Sequence, residues 1–250
     1  MSHRRFFLRK EFIKGEQAIL TDKEEIRHLW QVRRLKPGDQ VTIFDGEGHE
    51  YEALIRQIKH GEVIFQIQSA TPVSSKESPL PIILGIGVLK GSKFDWLIQK
   101  ITELGVAEIV PFYGQRSVPN WEDAKIITKK NRWEKIATAA AKQCQRPKIP
   151  QIHPPCSFQE ALQKISGDIL RIFVWEKEAE RTLAQITHAA YPGIYALVGP
   201  EGGFSDEEAA QAQEAGFKPV HLGPRILRSE TAGMVIVALL QFLFGDLSRK

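Results

Sequence analysis

The composition of this chain of 250 residues, with 42% hydrophobic and 26% charged residues, is that of an ordinary globular protein. It excludes disordered, collagen-like and small disulfide-stapled proteins. The formal net charge of +4 permits a polyanionic partner without requiring one.

Two features indicate where such a protein works. Its only cysteines, Cys144 and Cys156, are too few for a disulfide framework and lack metal-ligand spacing. The N-terminus has no signal-peptide core, and no apolar run reaches the length of a membrane span. We therefore expect a cytoplasmic protein with reduced thiols, no bound metal and no membrane contact.

The first 71 residues alternate short strand candidates with turns. Apolar and β-branched residues are frequent at positions 40–44, 50–55 and 62–67, and Asp45-Gly46 is a hairpin signal between the first two. One helix is predicted at 23–32. This region is therefore predicted to be a small β-barrel.

Residues 72–81 are rich in proline and serine and show no sustained periodicity, which is typical of a linker. Beyond it, apolar strand candidates at 81–89, 106–113, 169–175, 193–199 and 218–222 alternate with helical stretches at 93–104, 122–145 and 231–244. This rhythm predicts an α/β domain over residues 82–250, with a mostly parallel sheet covered on both faces.

Two loops near the C-terminus are the strongest functional signal. Gly199-Pro200-Glu201-Gly202-Gly203-Phe204 follows one predicted strand, and Leu222-Gly223-Pro224-Arg225-Ile226-Leu227-Arg228-Ser229-Glu230-Thr231-Ala232 follows the next. Glycine lets backbone approach a ligand closely, and the first amides of a helix lack internal partners. Ligands in such sheets bind beyond the carboxyl ends of strands, so we predict a shared pocket there. Ser205 with Glu208 is interpreted as a structural capping box.

Other familiar motifs are incomplete. Gly85-Ile86-Gly87 begins like a dinucleotide-binding fingerprint, but lysine replaces the third glycine and the run lies within a strand. Lys90-Gly91-Ser92-Lys93 lacks the spacing of a phosphate-binding loop. The histidines are scattered, which gives no support for zinc.

The two C-terminal runs resemble the paired motifs of the bacterial 16S rRNA (uracil-N3)-methyltransferase family, in the SPOUT class of S-adenosylmethionine-dependent enzymes. The family pattern has threonine where this chain has Ser229. Less specific matches cover nearly the whole chain, at residues 4–7, 28–39, 90–91, 99–106, 116–117, 143, 146 and 150.

The resemblance implies an N-terminal PUA-like barrel that holds RNA and a C-terminal SPOUT domain with a deep trefoil knot. It also implies a homodimer that methylates N3 of one uridine in 16S rRNA of the small ribosomal subunit. S-adenosylmethionine is the implied cofactor. The wider process would be rRNA processing in ribosome biogenesis.

The residue chemistry is compatible with that cofactor, since loop amides and carbonyls can bind its polar edges while leucine and isoleucine side chains pack on the adenine. The predicted cofactor-binding residues are Leu197, Val198, Gly199, Glu201, Gly202, Leu222, Gly223, Ile226, Leu227, Arg228 and Thr231.

Methylation of uridine N3 also requires loss of a weakly acidic imide proton. We predict that Arg228 stabilises negative charge on the uracil oxygens and that Glu201 or Glu230 accepts or orients the proton. In the alternative structural interpretation, Glu201 receives turn amides and Glu230 stabilises the first turn of the last helix.

Basic residues are concentrated in two stretches, the N-terminal region and the helical stretch 125–148, which has a single acidic residue, Glu134. Such groups bind phosphates and position RNA without selecting the base. The predicted RNA-binding residues are Arg4, Arg5, Arg9, Arg33, Arg34, Lys90, Arg116, Gln143 and Arg146. Two alternatives stay open: a different RNA target, such as a ribose 2'-hydroxyl in tRNA, and a non-catalytic ribosome-assembly factor.

Overall fold

The structure is a computed structural model that describes residues 4–59, 61–72, 76–117, 123–178, 180–186 and 191–248. The chain forms two compact units, Met1–Glu77 with Ala141–Ile149, and Ser78–Ala140 with Pro150–Lys250. The predicted division into residues 1–71, 72–81 and 82–250 stays a prediction. Residues 73–75 of the predicted linker and residue 122 of the predicted long helix lie outside the described residues.

The first unit is built on a six-stranded sheet. Its strands are Arg5–Phe7 (β1), Ile13–Lys14 (β2), Gln17–Leu20 (β3), Gln40–Phe44 (β4), His49–Lys59 (β5) and Glu62–Pro72 (β6). They lie in the order β1-β4-β5-β6-β3-β2, in which β1 and β4 are parallel and the other neighbours antiparallel. The predicted hairpin is confirmed, because Asp45 closes the turn between β4 and β5 by accepting three backbone N–H bonds at 2.8–3.1 Å.

The predicted helix of this unit forms as two short pieces. Helix α1 (Lys23–Arg27) begins where Asp22 accepts the backbone N–H of Glu25 at 2.9 Å. The chain then continues as one π-helical turn, His28–Val32. Leu29 from that turn is fully buried in the core of the unit.

Arg5 attaches the segment Ala141–Ile149 to this unit. Its guanidinium donates to the carbonyls of Ala141 (3.2 Å) and Arg146 (2.9 Å) and to Glu50 (2.9 Å), and it lies 3.7 Å from the ring centre of Phe44. Burial lowers the pKa of Arg5, while the adjacent carboxylate of Glu50 opposes that shift. The Arg5 side chain is therefore engaged in contacts within the protein.

The described residues of the second unit form a seven-stranded sheet in which every pairing is parallel. Its strands are Ile82–Gly87 (β7), Glu108–Tyr113 (β8), Gln151–Ile152 (β9), Cys156–Ser157 (β10), Leu170–Val174 (β11), Ile194–Val198 (β12) and Lys218–Val220 (β13). The order is β10-β8-β7-β12-β11-β13, and β9 also pairs with β8. The predicted α/β class with a parallel sheet is therefore confirmed, while the trefoil knot stays a prediction.

Helices alternate with these strands. They are Lys93–Glu103 (α2), Asp123–Cys144 (α3), Phe158–Gln163 (α4), Asp206–Glu214 (α5) and Ser229–Leu243 (α6). The central strands β7 and β12 consist entirely of buried residues. Such continuous apolar runs are what a parallel sheet buried on both faces requires.

Candidate cofactor-binding site

Three neighbouring strands of the second unit end at the same level. Val174 at the end of β11 is in register with Val198 of β12 on one side and with Val220 of β13 on the other. The two glycine loops therefore leave the sheet on either side of β11. In a parallel sheet this edge is the expected location of a ligand.

A cavity of about 270 Å³ lies at this edge. Its walls come from the ends of all three strands, from both glycine loops and from the start of α6. The lining residues are Val174, Trp175, Glu176, Val198, Gly199, Pro200, Glu201, Gly202, Gly203, Phe204, His221, Leu222, Gly223, Pro224, Arg225, Ile226, Leu227, Ser229 and Ala232.

The first loop, residues 199–204, is tightly packed against its surroundings. A Cβ on Gly199 would lie 3.1 Å from the backbone of Gly203 and Phe204, and one on Gly202 would lie 2.8 Å from the Cβ of Arg116. Arg116 also donates to the carbonyl of Gly202 at 2.9 Å. The backbone at Gly199 and Gly202 therefore leaves little space for any side chain.

Phe204 anchors the end of this loop in the core. Its ring lies 5.6–6.2 Å from the rings of Phe112, Phe158 and Phe173, and 1% of the residue is exposed. Helix α5 begins directly afterwards with the predicted Ser205–Glu208 capping box, which is confirmed. Glu208 also accepts the backbone N–H of Gln115 at 2.8 Å, so the box joins two segments of the unit.

The second loop, residues 222–228, is far more open. Gly223 has a φ of +99°, a conformation that favours glycine, yet a Cβ there would meet nothing within 4 Å. Ile226 is 87% exposed although it is apolar.

A single hydroxyl joins the two loops. Ser229, the first residue of α6, donates from Oγ to the carbonyl oxygen of Gly199 at 2.5 Å, and both residues are buried. The start of the last helix is thereby fixed against the first turn of the other loop. The cavity is closed on this side by a bond between the two predicted motifs.

The charged groups at the cavity are unevenly paired. Glu201 accepts a bond from Nζ of Lys93 at 2.5 Å, whereas no ion pair involves Glu176 in the described part of the chain. Trp175 is also notable, because its indole Nε1 is buried with no hydrogen-bond partner in the structure as described. The site thus offers two carboxylates to a ligand.

Eight of the eleven predicted cofactor-binding residues line the cavity: Val198, Gly199, Glu201, Gly202, Leu222, Gly223, Ile226 and Leu227. Leu197 instead lies in the hydrophobic core, with no exposed surface. Arg228 and Thr231 flank the cavity in sequence without lining it.

The three predicted catalytic residues lie in different environments. Glu201 is at the cavity, and Arg228 is exposed immediately before α6. Glu230, in the first turn of α6, is 9% exposed, and its Oε2 has no hydrogen-bond partner within the described segments.

Sequence reasoning missed two parts of the site. Trp175 is the last residue of the predicted strand 169–175 and Glu176 follows it, so the rule that ligands bind at strand ends could have found both. The pairing of Lys93 with Glu201 joins positions 108 residues apart, and no sequence signal indicates it.

The predicted RNA-binding residues divide by exposure. Arg5 and Arg146 are 4% and 5% exposed, and Arg146 donates to Glu77 at 2.8 Å, so both have intramolecular roles. The exposed ones are Arg4, Arg9, Arg33, Arg34, Lys90, Arg116 and Gln143. Arg4 pairs with Asp39, Arg33 donates to His28 at 3.1 Å, and Arg116 contacts the first loop.

Among the residues that the structure describes, no group of three or more His, Cys, Asp or Glu side chains could hold a metal ion. Within the same residues, no helix combines the length and hydropathy needed to cross a membrane.

Comparisons with known proteins identify the family. The sequence pattern of the RNA methyltransferase domain matches residues 76–241, and that of the RNA methyltransferase PUA domain matches residues 20–68. Ribosomal RNA small subunit methyltransferase E from Bacillus subtilis is 30% identical over 94% of both chains. Its namesake from Synechocystis is 32% identical over 91% of this chain and 74% of its own.

A solved structure agrees with both matches. Ribosomal RNA small subunit methyltransferase E from Neisseria gonorrhoeae, bound to S-adenosylmethionine, superposes with a TM-score of 0.88 at 33% identity, covering 98% of this chain and 99% of that one. The resemblance carried by the two glycine loops is thus confirmed, and the chain belongs to the ribosomal RNA small subunit methyltransferase E family of RNA methyltransferases.

Proposed function

We propose that this protein transfers the methyl group of S-adenosylmethionine to N3 of a specific uridine in 16S rRNA of the small ribosomal subunit. The observation that carries the proposal is the cavity at the ends of β11, β12 and β13, where two family motifs meet through the Ser229–Gly199 bond. The cofactor bound to the Neisseria gonorrhoeae relative supports the same ligand here.

The residues present fit S-adenosylmethionine. Leu222, Ile226 and Leu227 provide apolar surface for the adenine. The carboxylates of Glu176 and Glu201 favour a ligand that carries positive charge. The volume of about 270 Å³ is close to the lower end of the range for ligand pockets.

When bound, the cofactor supplies an electrophilic methyl group beside a positively charged sulfur. The protein must then orient the uracil ring, remove the N3 proton and stabilise the charge that spreads onto the uracil oxygens. Alignment can lower such a barrier by roughly 7–11 kcal/mol, whereas general-base help contributes about 10²- to 10⁴-fold. Positioning is accordingly assigned the larger share.

We assign the electrostatic role to Arg228, which is exposed beside the site and makes no ion pair within the described residues. Glu201 is assigned to orienting or accepting the proton, because it lies at the cavity and Lys93 holds its carboxylate. Glu230 is the second candidate for proton acceptance, since one of its oxygens is buried and unpaired.

We further propose that the protein is a cytoplasmic homodimer. Four apolar side chains are exposed in α6 and shortly after it: Leu239 (38%), Phe242 (56%), Leu243 (40%) and Leu247 (52%). A cluster of this kind marks a surface that another molecule covers. Light scattering on the purified protein tests the dimer.

Two measurements test the proposed activity. Calorimetry with S-adenosylmethionine should show binding, and its absence would favour a non-catalytic assembly factor. Mass mapping of nucleosides should show that small-subunit rRNA from cells lacking the protein has lost one N3-methyluridine. An unchanged rRNA accompanied by a missing methyl group in tRNA would instead identify a different RNA target.

A further inference from the structure

The π-helical turn His28–Val32 presents a large aromatic side chain to solvent. Trp30 is 60% exposed and Val32 is 64% exposed, whereas Leu29 and Leu35 on either side are buried at 0% and 2%. The two leucines anchor the turn to the core of its unit. The tryptophan is therefore held outward by packed neighbours.

The charged residues nearest to Trp30 in the sequence are all basic. Positions 27–36 contain Arg27, Arg33, Arg34 and Lys36 and no aspartate or glutamate. The nearest upstream acid, Glu25, is bonded to Lys142 at 2.6 Å. Burial lowers the pKa of His28, and the charges of Lys142 and Arg33 lower it further, while the charge of Glu25 opposes them.

Hydrogen bonds hold two basic side chains against the turn that carries Trp30. Arg27 donates to Gln31 at 3.0 Å and Arg33 donates to His28 at 3.1 Å, so both guanidinium groups lie against the turn. Arg34 has a φ of +51°, a left-handed conformation that reverses the chain directly after the turn. Short π-helical turns occur often at functional sites.

An exposed aromatic ring among arginines is complementary to one class of partner. Unpaired nucleobases stack on aromatic side chains and adjacent phosphates bind arginine, whereas paired bases offer no free face. A protein partner covering Trp30 would not need four basic residues and no acidic one. We propose that Trp30 stacks on an unpaired base of the RNA substrate while Arg33 and Arg34 bind the flanking phosphates.

This inference rests on the proposed function, because it assumes an RNA substrate. The test measures binding of the full-length protein, without cofactor, to single-stranded polyuridylate and to a fully paired RNA duplex. Trp30→Phe keeps a ring, whereas Trp30→Leu keeps apolar surface and removes the ring. Since the side chain is exposed, both variants should unfold at the wild-type temperature.

We expect Trp30→Leu to weaken binding to the single strand by about 5- to 140-fold and to leave binding to the duplex unchanged, since stacking contributes ~1–3 kcal/mol per base. Trp30→Phe should retain most of the affinity. The dependence of binding on salt should not change in either variant, because the indole is uncharged. Arg34→Gln should reduce the salt slope by about 0.7, as expected for one lost phosphate contact on a single strand.

The inference is overturned if Trp30→Leu binds the single strand as the wild type does, or if both variants lose affinity equally. It is also overturned if Trp30→Leu binds assembled small subunits poorly but naked RNA normally, which would indicate a protein partner. If the wild-type protein binds neither RNA, the proposed function fails instead.

Discussion

The two glycine loops that form the cavity are built in opposite ways. In the loop at residues 199–204, Gly199, Pro200 and Phe204 are buried, and Arg116 and the core aromatic rings hold the backbone. In the loop at residues 222–228, five of seven residues are exposed, from Gly223 to Ile226 and Arg228.

This difference separates two tasks within one cavity. The packed loop provides backbone groups at fixed positions before any ligand arrives, which lowers the ordering cost of binding. In the open loop, the exposed side chains of Arg225 and Arg228 make no ion pair within the described residues, so they are available to substrate. Ser229 connects the two, because it begins the helix after the open loop and bonds to the packed one.

The largest effect should follow the loss of the arginine at the end of the open loop. We expect Arg228→Ala to slow methyl transfer by about 10²- to 10³-fold, the usual consequence of removing one group that stabilises developing charge. The unfolding free energy should change little, because the side chain is exposed. Single-turnover rates at saturating cofactor and RNA give the measurement. Arg228→Lys should recover part of the rate, and an unchanged rate for Arg228→Ala would remove this residue from the mechanism.

Adding one methyl group at Gly87 should disturb the packing of the loop at residues 199–204. A Cβ on Gly87, at the end of β7, would lie 2.3 Å from the backbone nitrogen of Pro200. We expect Gly87→Ala to lower the free energy of unfolding by about 1–3 kcal/mol, the usual cost of overpacking, as measured by urea denaturation.

Gly223 in the open loop is the control position for Gly87. Its Cβ would have free space, so Gly223→Ala costs only the strain of a positive φ, and Gly223→Asn should cost less because asparagine tolerates that region better than alanine does. Gly87→Asn should be at least as harmful as Gly87→Ala. If asparagine restored the free energy of unfolding relative to alanine equally at Gly87 and Gly223, the two loops would not differ in packing as proposed.

The sequence predicted the elements of this site better than their assembly. The strands before both loops and the Ser205–Glu208 cap are governed by local patterns, namely apolar runs and a hydroxyl three residues before a glutamate. The position of β11 between β12 and β13 depends on strand order, which local patterns do not encode. Trp175 and Glu176, at the end of β11, lie between the two loops only because of that order.

The same limit applies to residues whose role depends on distant contacts. Arg5 and Arg146 belong to a residue type that often binds RNA phosphates. Their partners in the structure are instead carbonyl and carboxylate groups that lie up to 141 positions away in the chain. Leu197 follows the pattern of a pocket residue but faces the core instead. Side chains with local partners were predictable, whereas burial produced by tertiary packing was not.

Removing the hydroxyl that joins the loops should have an intermediate effect. In Ser229→Ala the buried carbonyl of Gly199 loses its partner, which costs about 1–3 kcal/mol of unfolding free energy. Binding of S-adenosylmethionine should weaken as well, since both loops line its site. Ser229→Thr keeps the hydroxyl and should preserve both properties. Thermal unfolding with and without cofactor measures them together, and identical behaviour of Ala and Thr would show that the bond is dispensable.

The smallest effect should come from the ion pair at the tip of the packed loop. The side chains of Lys93 and Glu201 are 41% and 29% exposed, and pairs of this kind contribute only ~0.2–1 kcal/mol. We therefore expect Lys93→Met to weaken cofactor binding by less than about fivefold, with a smaller difference at high salt because exposed charges are screened. Lys93→Arg should match the wild type. A double-mutant cycle with Glu201→Gln isolates the pair, and additive effects would mean that Lys93 acts on the cavity without Glu201. A coupling energy well above ~1 kcal/mol would instead show that the ion pair between Lys93 and Glu201 holds the packed loop in its conformation. Backbone packing would then not be sufficient to order this loop before the cofactor binds.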